Sequence, residues 1–363
     1  MSVKGSTPHS ELLAATTVAL LTTPPRRDRL ELVREHGSFC AALGRIPHAA
    51  ATTVTAQRVL EGIRRAGLEA LCMTDPLYPR LLRAAPDPPP LISVWGRLEP
   101  DDALGLAIVG SRRATRYGLE MSRRLAGALS SAGLTIVSGL ARGIDAAAHK
   151  GALDAGGRTI AVLGSGLRNI YPREHQKLAE QISRNGAVIS EFDVDEPPRS
   201  GNFPRRNRII TGMTLGTLVV EAALKSGSLV SARLAMEQDR DVFAVPGPAL
   251  SPNSEGVHAL IRDGAKLVTQ ATDVVEELRP DIRALLETKP RTATTKANGN
   301  DDELDQVERE ILEHLTNAQD AVDVDTLVER TDIPIPLALA ALSGLEVKGR
   351  IWSLAGGLYQ AKP

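Results

Sequence analysis

The chain has 363 residues, of which 42% are apolar and 24% charged, and its two cysteines, Cys40 and Cys72, lie far apart. At roughly 100–200 residues per domain this predicts two or three domains whose cores need no disulfide or zinc staple, in a reduced, cytoplasmic setting. Net charge is −1, but it divides unevenly: residues 103–279 carry 22 basic and 18 acidic groups, whereas residues 303–363 carry 5 and 11. A polyanion partner is therefore expected on the middle segment and not on the last one.

Residues 1–85 read as a helical domain. Short apolar faces at 30–34, 40–43 and 54–66 are broken by Thr22-Thr23-Pro24-Pro25 and by Gly37. The apolar stretch 12–21 follows an acidic residue, unlike a signal peptide, and no run reaches the ~18 apolar residues of a membrane span. A proline-rich boundary near 86–90 precedes a strand at 91–96. Residues 86–279 then alternate strands and helices. Strands are predicted at 106–109, 134–138, 159–163, 187–190, 217–220, 242–245 and 266–268, and helices at 116–132, 144–155, 174–185, 228–238 and 257–263. Continuously apolar strands imply a parallel sheet covered on both faces, so the fold class is α/β, a doubly wound Rossmann-like domain. Residues 280–302 read as a linker, most clearly from 288 onward. Residues 303–363 show three helical stretches and two short strands around a Gly-Gly turn, the pattern of a winged helix.

Gly110, Ser111 and Arg112 end the first strand of the alternating region. Glycine permits a tight turn, and the helix N-terminus beyond it offers N–H groups and a positive dipole end to an anion. Arg112, Arg113 and Arg116 add charge, with no acid between residues 103 and 119. The dinucleotide fingerprint GxGxxG is absent, which argues against an NAD enzyme. The second strand ends in Ser138-Gly139-Leu140-Ala141-Arg142-Gly143-Ile144-Asp145, where Asp145 can cap the next helix or orient an arginine. His149 fits a core or capping histidine better than a general base, because no partner is identifiable. Gly164-Ser165-Gly166 can receive a phosphate or allow close packing, and Tyr171, Arg173 and Lys177 follow it.

The densest signal is residues 199–208, with four arginines, Asn202, Phe203 and Asn207, in a stretch without acids from 197 to 220. Arginine forks suit phosphates and a phenylalanine can stack a base. The alternative is internal pairing with Glu191, Asp193, Asp195 and Glu196. Glu221, at a strand end, can serve as a base, hold a ribose hydroxyl or lock an arginine. No HExxH cluster, GxSxG elbow or Walker lysine occurs, so no metal, cofactor or catalytic residue is expected.

These motifs occur in one order: VGSR, SGLARGIDAAAH, AVLGSGL…YP, ISE, FPRRNRII, LVVEA…SGSL, FAVPG and GVHALIRDGA. The string resembles the bacterial DNA-processing family DprA (Smf), densely over residues 75–279. The resemblance implies a non-enzymatic protein that binds and protects incoming single-stranded DNA in natural transformation. It also implies loading of the RecA recombinase for homologous recombination, and action as a homodimer. By motif, it places Gly110, Ser111, Arg112, Arg142, Gly164, Arg173, Lys177, Arg205, Asn207 and Arg208 around the phosphates, with Phe203 as a stacking residue. It places self-association near Val257, Leu260, Ile261 and Leu267. It also implies a helical N-terminal domain of the SAM or helix-hairpin-helix kind.

Two positions depart from the family pattern. His175 stands where the family has an asparagine. Prolines 24 and 25 stand where a phosphate-binding hairpin would need N–H groups. A structural or partner role is therefore expected for the N-terminal domain, and a protein-binding or regulatory one for the acidic winged helix. With about five phosphates gripped, log affinity is expected to fall with log salt at a slope near −3.5. The rival is a nucleoside monophosphate phosphoribohydrolase of the lysine-decarboxylase-like kind, with Arg112 and Arg208 on a phosphate and Glu221 assisting cleavage. The double glycine that this family carries before Gly216 is missing.

Overall fold

A computed structural model describes residues 7–46, 50–288, 306–318, 321–331, 333–347, 350–354 and 358–362. The polar part of the expected linker, residues 289–302, and the Gly356-Gly357 turn lie outside them.

The chain starts with helices α1 (His9–Leu20), α2 (Arg26–His36), α3 (Phe39–Leu43) and α4 (Ala50–Arg65). Gly37, at a φ of 71°, stops α2, and the Ser38 side chain accepts the Ala41 N–H to start α3. Buried Glu11 accepts the N–H groups of Phe39 at 2.6 Å and Cys40 at 3.1 Å, tying α1 to the first turn of α3. Then come β1 (Glu69–Cys72), α5 (Arg80–Ala84) and β2 (Leu91–Gly96). β1 pairs antiparallel with β2, so the segment expected to be mainly helical carries a strand. Four residues are too few to show a period-two pattern, and the partner strand lies far along the chain. Ala14, Leu30 and Phe39 share one apolar core with Ile92, Val109 and Ile189. Residues 1–292 form one compact unit, and the boundary expected at residue 85 falls inside it.

The alternating region runs β3 (Gly105–Val109), α6 (Arg116–Ser131), β4 (Thr135–Ser138), α7 (Ile144–Asp154), β5 (Thr159–Val162), α8 (Gln176–Arg184) and β6 (Gly186–Ser190). It continues α9 (Asn202–Gly212), β7 (Gly216–Val219), α10 (Gly227–Glu237), β8 (Asp241–Ala244), α11 (Glu255–Arg262), β9 (Lys266–Leu267), α12 (Ala271–Glu277) and α13 (Pro280–Thr288). The sheet order is β1-β2-β6-β5-β4-β3-β7-β8-β9, parallel from β6 to β9. Every residue of β3 to β7 is buried, as continuous apolar runs require. The chain winds outward from β3 to β6, then returns to lay β7 on the other side of β3. That reversal opens a crevice beyond the carboxyl ends of β3 and β7, where doubly wound sheets take their ligands.

Three helices of this region, α9, α12 and α13, were not expected. The arginine-rich run, for which no helix was predicted, is α9, whose Ile209 and Ile210 are buried while the charges conceal the apolar period. The start of the expected linker is α13, held on the core by Leu286 with Ile282 beside it.

The second compact unit, residues 293–363, has its own core of Ile311, Leu327, Leu342 and Ile351, among others. Helices α14 (Gln306–Asn317), α15 (Val324–Thr331) and α16 (Ile335–Val347) join strands β10 (Val322–Asp323), β11 (Ile351–Leu354) and β12 (Leu358–Ala361). The strands pair antiparallel in the order β10-β12-β11, the expected winged helix. Among the described residues, no helix is long and apolar enough to cross a membrane.

Candidate functional site

The crevice at the reversal point is a cleft of about 910 Å³. Its walls come from the loop after β3 (Gly110–Arg113), the first turns of α9 and α10, Ala141, Asp145, Tyr171 and Asn253. Four lining residues are basic, Arg112, Arg113, Arg206 and Lys225, and one is acidic, Asp145. Three strand ends are laced together at its edge. The Ser111 N–H donates to Glu221 O at 2.8 Å, and the Ile144 N–H donates to Ser111 O at 3.2 Å. The Ser111 hydroxyl oxygen accepts the Arg113 N–H at 3.1 Å.

Phe203, on the first turn of α9, meets two side chains on this wall. The Arg112 guanidinium lies 5.2 Å from its ring centroid, within cation–π range. The Tyr171 ring centroid is 5.6 Å away and tilted by 48°. Gly164 makes room for this ring: a Cβ there would come within 2.8 Å of Phe203 Cδ1. Gly164 is buried and does not line the cleft, so the geometry gives it the packing role. His175, at the position that departs from the family pattern, donates Nδ1–H to Leu140 O at 2.8 Å. It thereby holds a residue whose φ is 57°.

The arginines of α9 divide. Arg206, absent from the expected set, is 3% exposed yet lines the cleft. Burial pushes its pKa down to about 10, with Asp145 opposing and Arg112 reinforcing the shift. Arg205 and Arg208 belong to a different cluster. Glu191 Oε2 receives Arg208 Nη2 at 2.5 Å, Arg205 Nη2 at 3.3 Å and Arg26 Nη1 at 3.4 Å. Asp87 receives Arg208 Nε at 3.0 Å and Arg26 Nε at 2.9 Å. Arg208 is 8% exposed and lies outside the cleft lining, so it is an internal strut between α2, α9 and the sheet. Asn207 does line the cleft.

The other expected cations also lie elsewhere. Arg142 is exposed and makes a two-pronged pair with Glu174, at 2.5 and 3.0 Å. Arg173 and Lys177 are exposed, and neither lines the cleft. In their place the structure supplies Arg113, Arg206 and Lys225. Lys225 had a sequence signal, since it directly precedes the Ser226-Gly227-Ser228 turn that opens α10.

Glu221 is 4% exposed and caps α6: Oε2 accepts the Thr115 N–H at 2.9 Å and Oε1 accepts the Thr115 hydroxyl. A carboxylate held this way, outside the cleft lining, is not placed to assist glycosidic cleavage. Around the expected self-association residues, Val257 is 0% exposed and belongs to the core. Leu260 and Ile261 pack partly against it, and only Leu267, at 49%, is open. The α11 pattern shows an apolar face but not which surface it covers.

His149 is fully buried, with Nδ1 2.8 Å from the Thr159 hydroxyl. Burial first, then His175 and Arg206, lowers its pKa from 6.5 to about 3. Between those values the unfolded chain binds the extra proton. Stability contributed by neutral His149 is thus complete above pH 6.5 and is lost as pH falls towards about 3. The slope is at most ~1.4 kcal/mol per pH unit. Urea denaturation from pH 7 to 4.5 is expected to show this decline. The difference between the wild type and His149→Gln isolates it, and parallel curves would disprove it.

The family model described as DNA recombination-mediator protein A matches residues 69–279, and the DprA winged helix domain matches residues 295–357. Protein Smf of Escherichia coli is 43% identical over 320 residues, 85% of this chain and 84% of its own. DNA processing protein DprA of Streptococcus pneumoniae is 44% identical over 203 residues, 56% of this chain and 72% of its own. A crystal structure of the Streptococcus pneumoniae protein superimposes with a TM-score of 0.65 at 34% identity, over 75% of this chain and 99% of that one. DNA processing protein A of Helicobacter pylori, studied for its single-stranded DNA binding mode, gives a TM-score of 0.52 at 30% identity, over 61% and 96%. With the motif order, the doubly wound sheet and the winged helix in agreement, the chain belongs to the DNA recombination-mediator protein A family, DprA or Smf.

Proposed function

We propose that this protein binds single-stranded DNA in the cleft at the β3/β7 reversal and presents it to a RecA-type recombinase in the cytoplasm, as a non-catalytic homodimer serving uptake and recombination of DNA. The observation that carries this reading is the charge of the cleft, four cations against one carboxylate, beside an aromatic step formed by Phe203 and Tyr171. Such a surface suits a phosphate backbone with an occasional stacked base, and it carries little sequence information. The single-stranded DNA binding of the Helicobacter pylori relative supports it. The α2–α9 ion cluster supports a structural role for the N-terminal helices. For self-association, a second copy would seat on the groove lined by Leu224, Pro246, Ile261 and Leu267.

The experiment compares a fluorescent oligo-dT with its duplex across a salt series, for the full chain and for residues 1–292, a compact unit without the winged helix. The expected result is preference for the single strand and retained binding by the truncated form. Loss of binding on truncation would move the site to the winged helix and defeat the proposal.

A further inference from the structure

The sequence of helix α16, in the second unit, leaves it no polar face: IPLALAALSGLEV carries a single charge, Glu346. Ala338, Ala341, Leu342 and Leu345 bury one side of the helix in the core of the unit. Ile335, Leu337 and Leu339 stay outside that core and are 48%, 53% and 44% exposed. Ile335, Leu339 and Glu346 follow spacings of four and seven residues, so they share one stripe at the edge of the exposed face. Leu337, two residues from Ile335, marks the other edge. A helix that is apolar all round needs cover on every side, and the core of the unit covers only one. Exposed aliphatic side chains gathered on one helix mark an interaction surface.

Duplex DNA, a second copy of this chain and another protein are the possible occupants, and charge separates them. In a winged helix the second helix of the helix-turn-helix pair, here α16, is the one that enters a major groove. Phosphates and base edges are met mainly by arginine, lysine, asparagine and glutamine, and residues 331–347 contain none of these. A second copy would bring an equally acidic unit against the first, with 5 bases and 11 acids over residues 303–363 in each. The exposed carboxylates include Glu310, Glu313, Asp325, Glu329 and Glu346. An apolar strip on an acidic unit complements a protein segment that is apolar on one side and basic on its flanks.

We propose that the exposed face of α16 is a docking surface for an amphipathic helical segment of a protein partner. The segment sets leucine-type side chains against Ile335, Leu337 and Leu339 and directs lysines or arginines to carboxylates such as Glu346 and, on the adjoining α15, Glu329. The surface is independent of the strand-binding reading, because the basic cleft belongs to the other unit.

The test uses the full chain and a fluorescent helix-forming peptide of leucine and lysine, with all leucines on one face. The same peptide with glutamate for lysine is the control. By anisotropy at ~0.1 M salt, the leucine–lysine peptide is expected to bind about tenfold or more tightly than the control, and residues 1–292 are expected to bind neither. Ile335→Gln/Leu339→Gln is expected to weaken the leucine–lysine complex about tenfold or more, since two aliphatic contacts are lost. Glu329→Lys/Glu346→Lys is expected to shift the preference about tenfold towards the glutamate peptide, an exchange that a misfolded unit would not produce.

Equal binding of the two peptides overturns the proposal, as does binding of neither, binding by residues 1–292 as tight as by the full chain, or a leucine–lysine complex that survives Ile335→Gln/Leu339→Gln. Sedimentation showing that the same double variant splits an oligomer would make a second copy the occupant. Loss of duplex binding in that variant would make it nucleic acid. Either result overturns the protein-partner proposal. Oligo-dT binding is expected to be unchanged in both double variants. A full chain that binds the leucine–lysine peptide but no oligo-dT keeps the docking surface and removes the strand-binding reading.

Discussion

Glu191→Ala is expected to lower the free energy of unfolding by about 3–5 kcal/mol, the usual cost of removing one partner from a buried ion cluster. Glu191 is 3% exposed at its side chain, and one of its oxygens receives three arginines. Without it, Arg26 and Arg208 would face each other across a single carboxylate, Asp87, which is itself 48% exposed. Arg26 is already strained in this sense: burial first and Arg208 next push its pKa down, and Asp87 and Glu191 counteract them. Urea denaturation checks the effect. Arg205→Ala, which removes a half-exposed member at 3.3 Å, is expected to cost under about 1 kcal/mol. Equal effects for Glu191→Ala and Arg205→Ala would show that the cluster is not a strut. The same logic makes Arg208→Ala a stability variant: it should lower the denaturation midpoint and leave the salt slope of DNA binding in place.

The double variant Arg112→Ala/Lys225→Ala is expected to weaken oligo-dT binding about 100-fold at ~0.1 M salt and to make the salt slope shallower by about 1.4. Both side chains are exposed on the cleft wall, so the fold should persist. Arg112 also stacks on Phe203, so part of its loss would come from a freed ring and would not depend on salt. Four cleft cations imply a wild-type slope near about −2.8, shallower than the −3.5 that five gripped phosphates would give. Anisotropy titrations across a salt series measure both quantities. An unchanged slope would place the phosphate contacts outside this cleft.

Much of this architecture was legible in residue order. The strands from β3 to β7 announced themselves because a parallel strand covered on both faces is buried along its length and reads as a near-continuous apolar run. The amphipathic α6 and α8 between them did the same through their period. Gly110, Ser111 and Arg112 were legible as an anion turn because strand, glycine and helix start are neighbours in sequence. α9 was missed because its arginines interrupt the apolar period, and β1 because four residues carry no period at all.

The sequence by itself determined the doubly wound sheet, the winged helix, the basic character of the middle segment and the family, since these depend on local periodicity, composition and motif order. Tertiary structure alone decided which arginine meets solvent and which meets a carboxylate. Arg208 finds Glu191 17 residues away, and Arg26 finds it across 165. Arg205, Arg206 and Arg208 are near-identical in local chemistry, yet helical rotation sends them to a half-exposed rim, a cleft floor and an internal strut. The partner of a charge is set by the packing of distant elements, and no spacing rule within one segment records it.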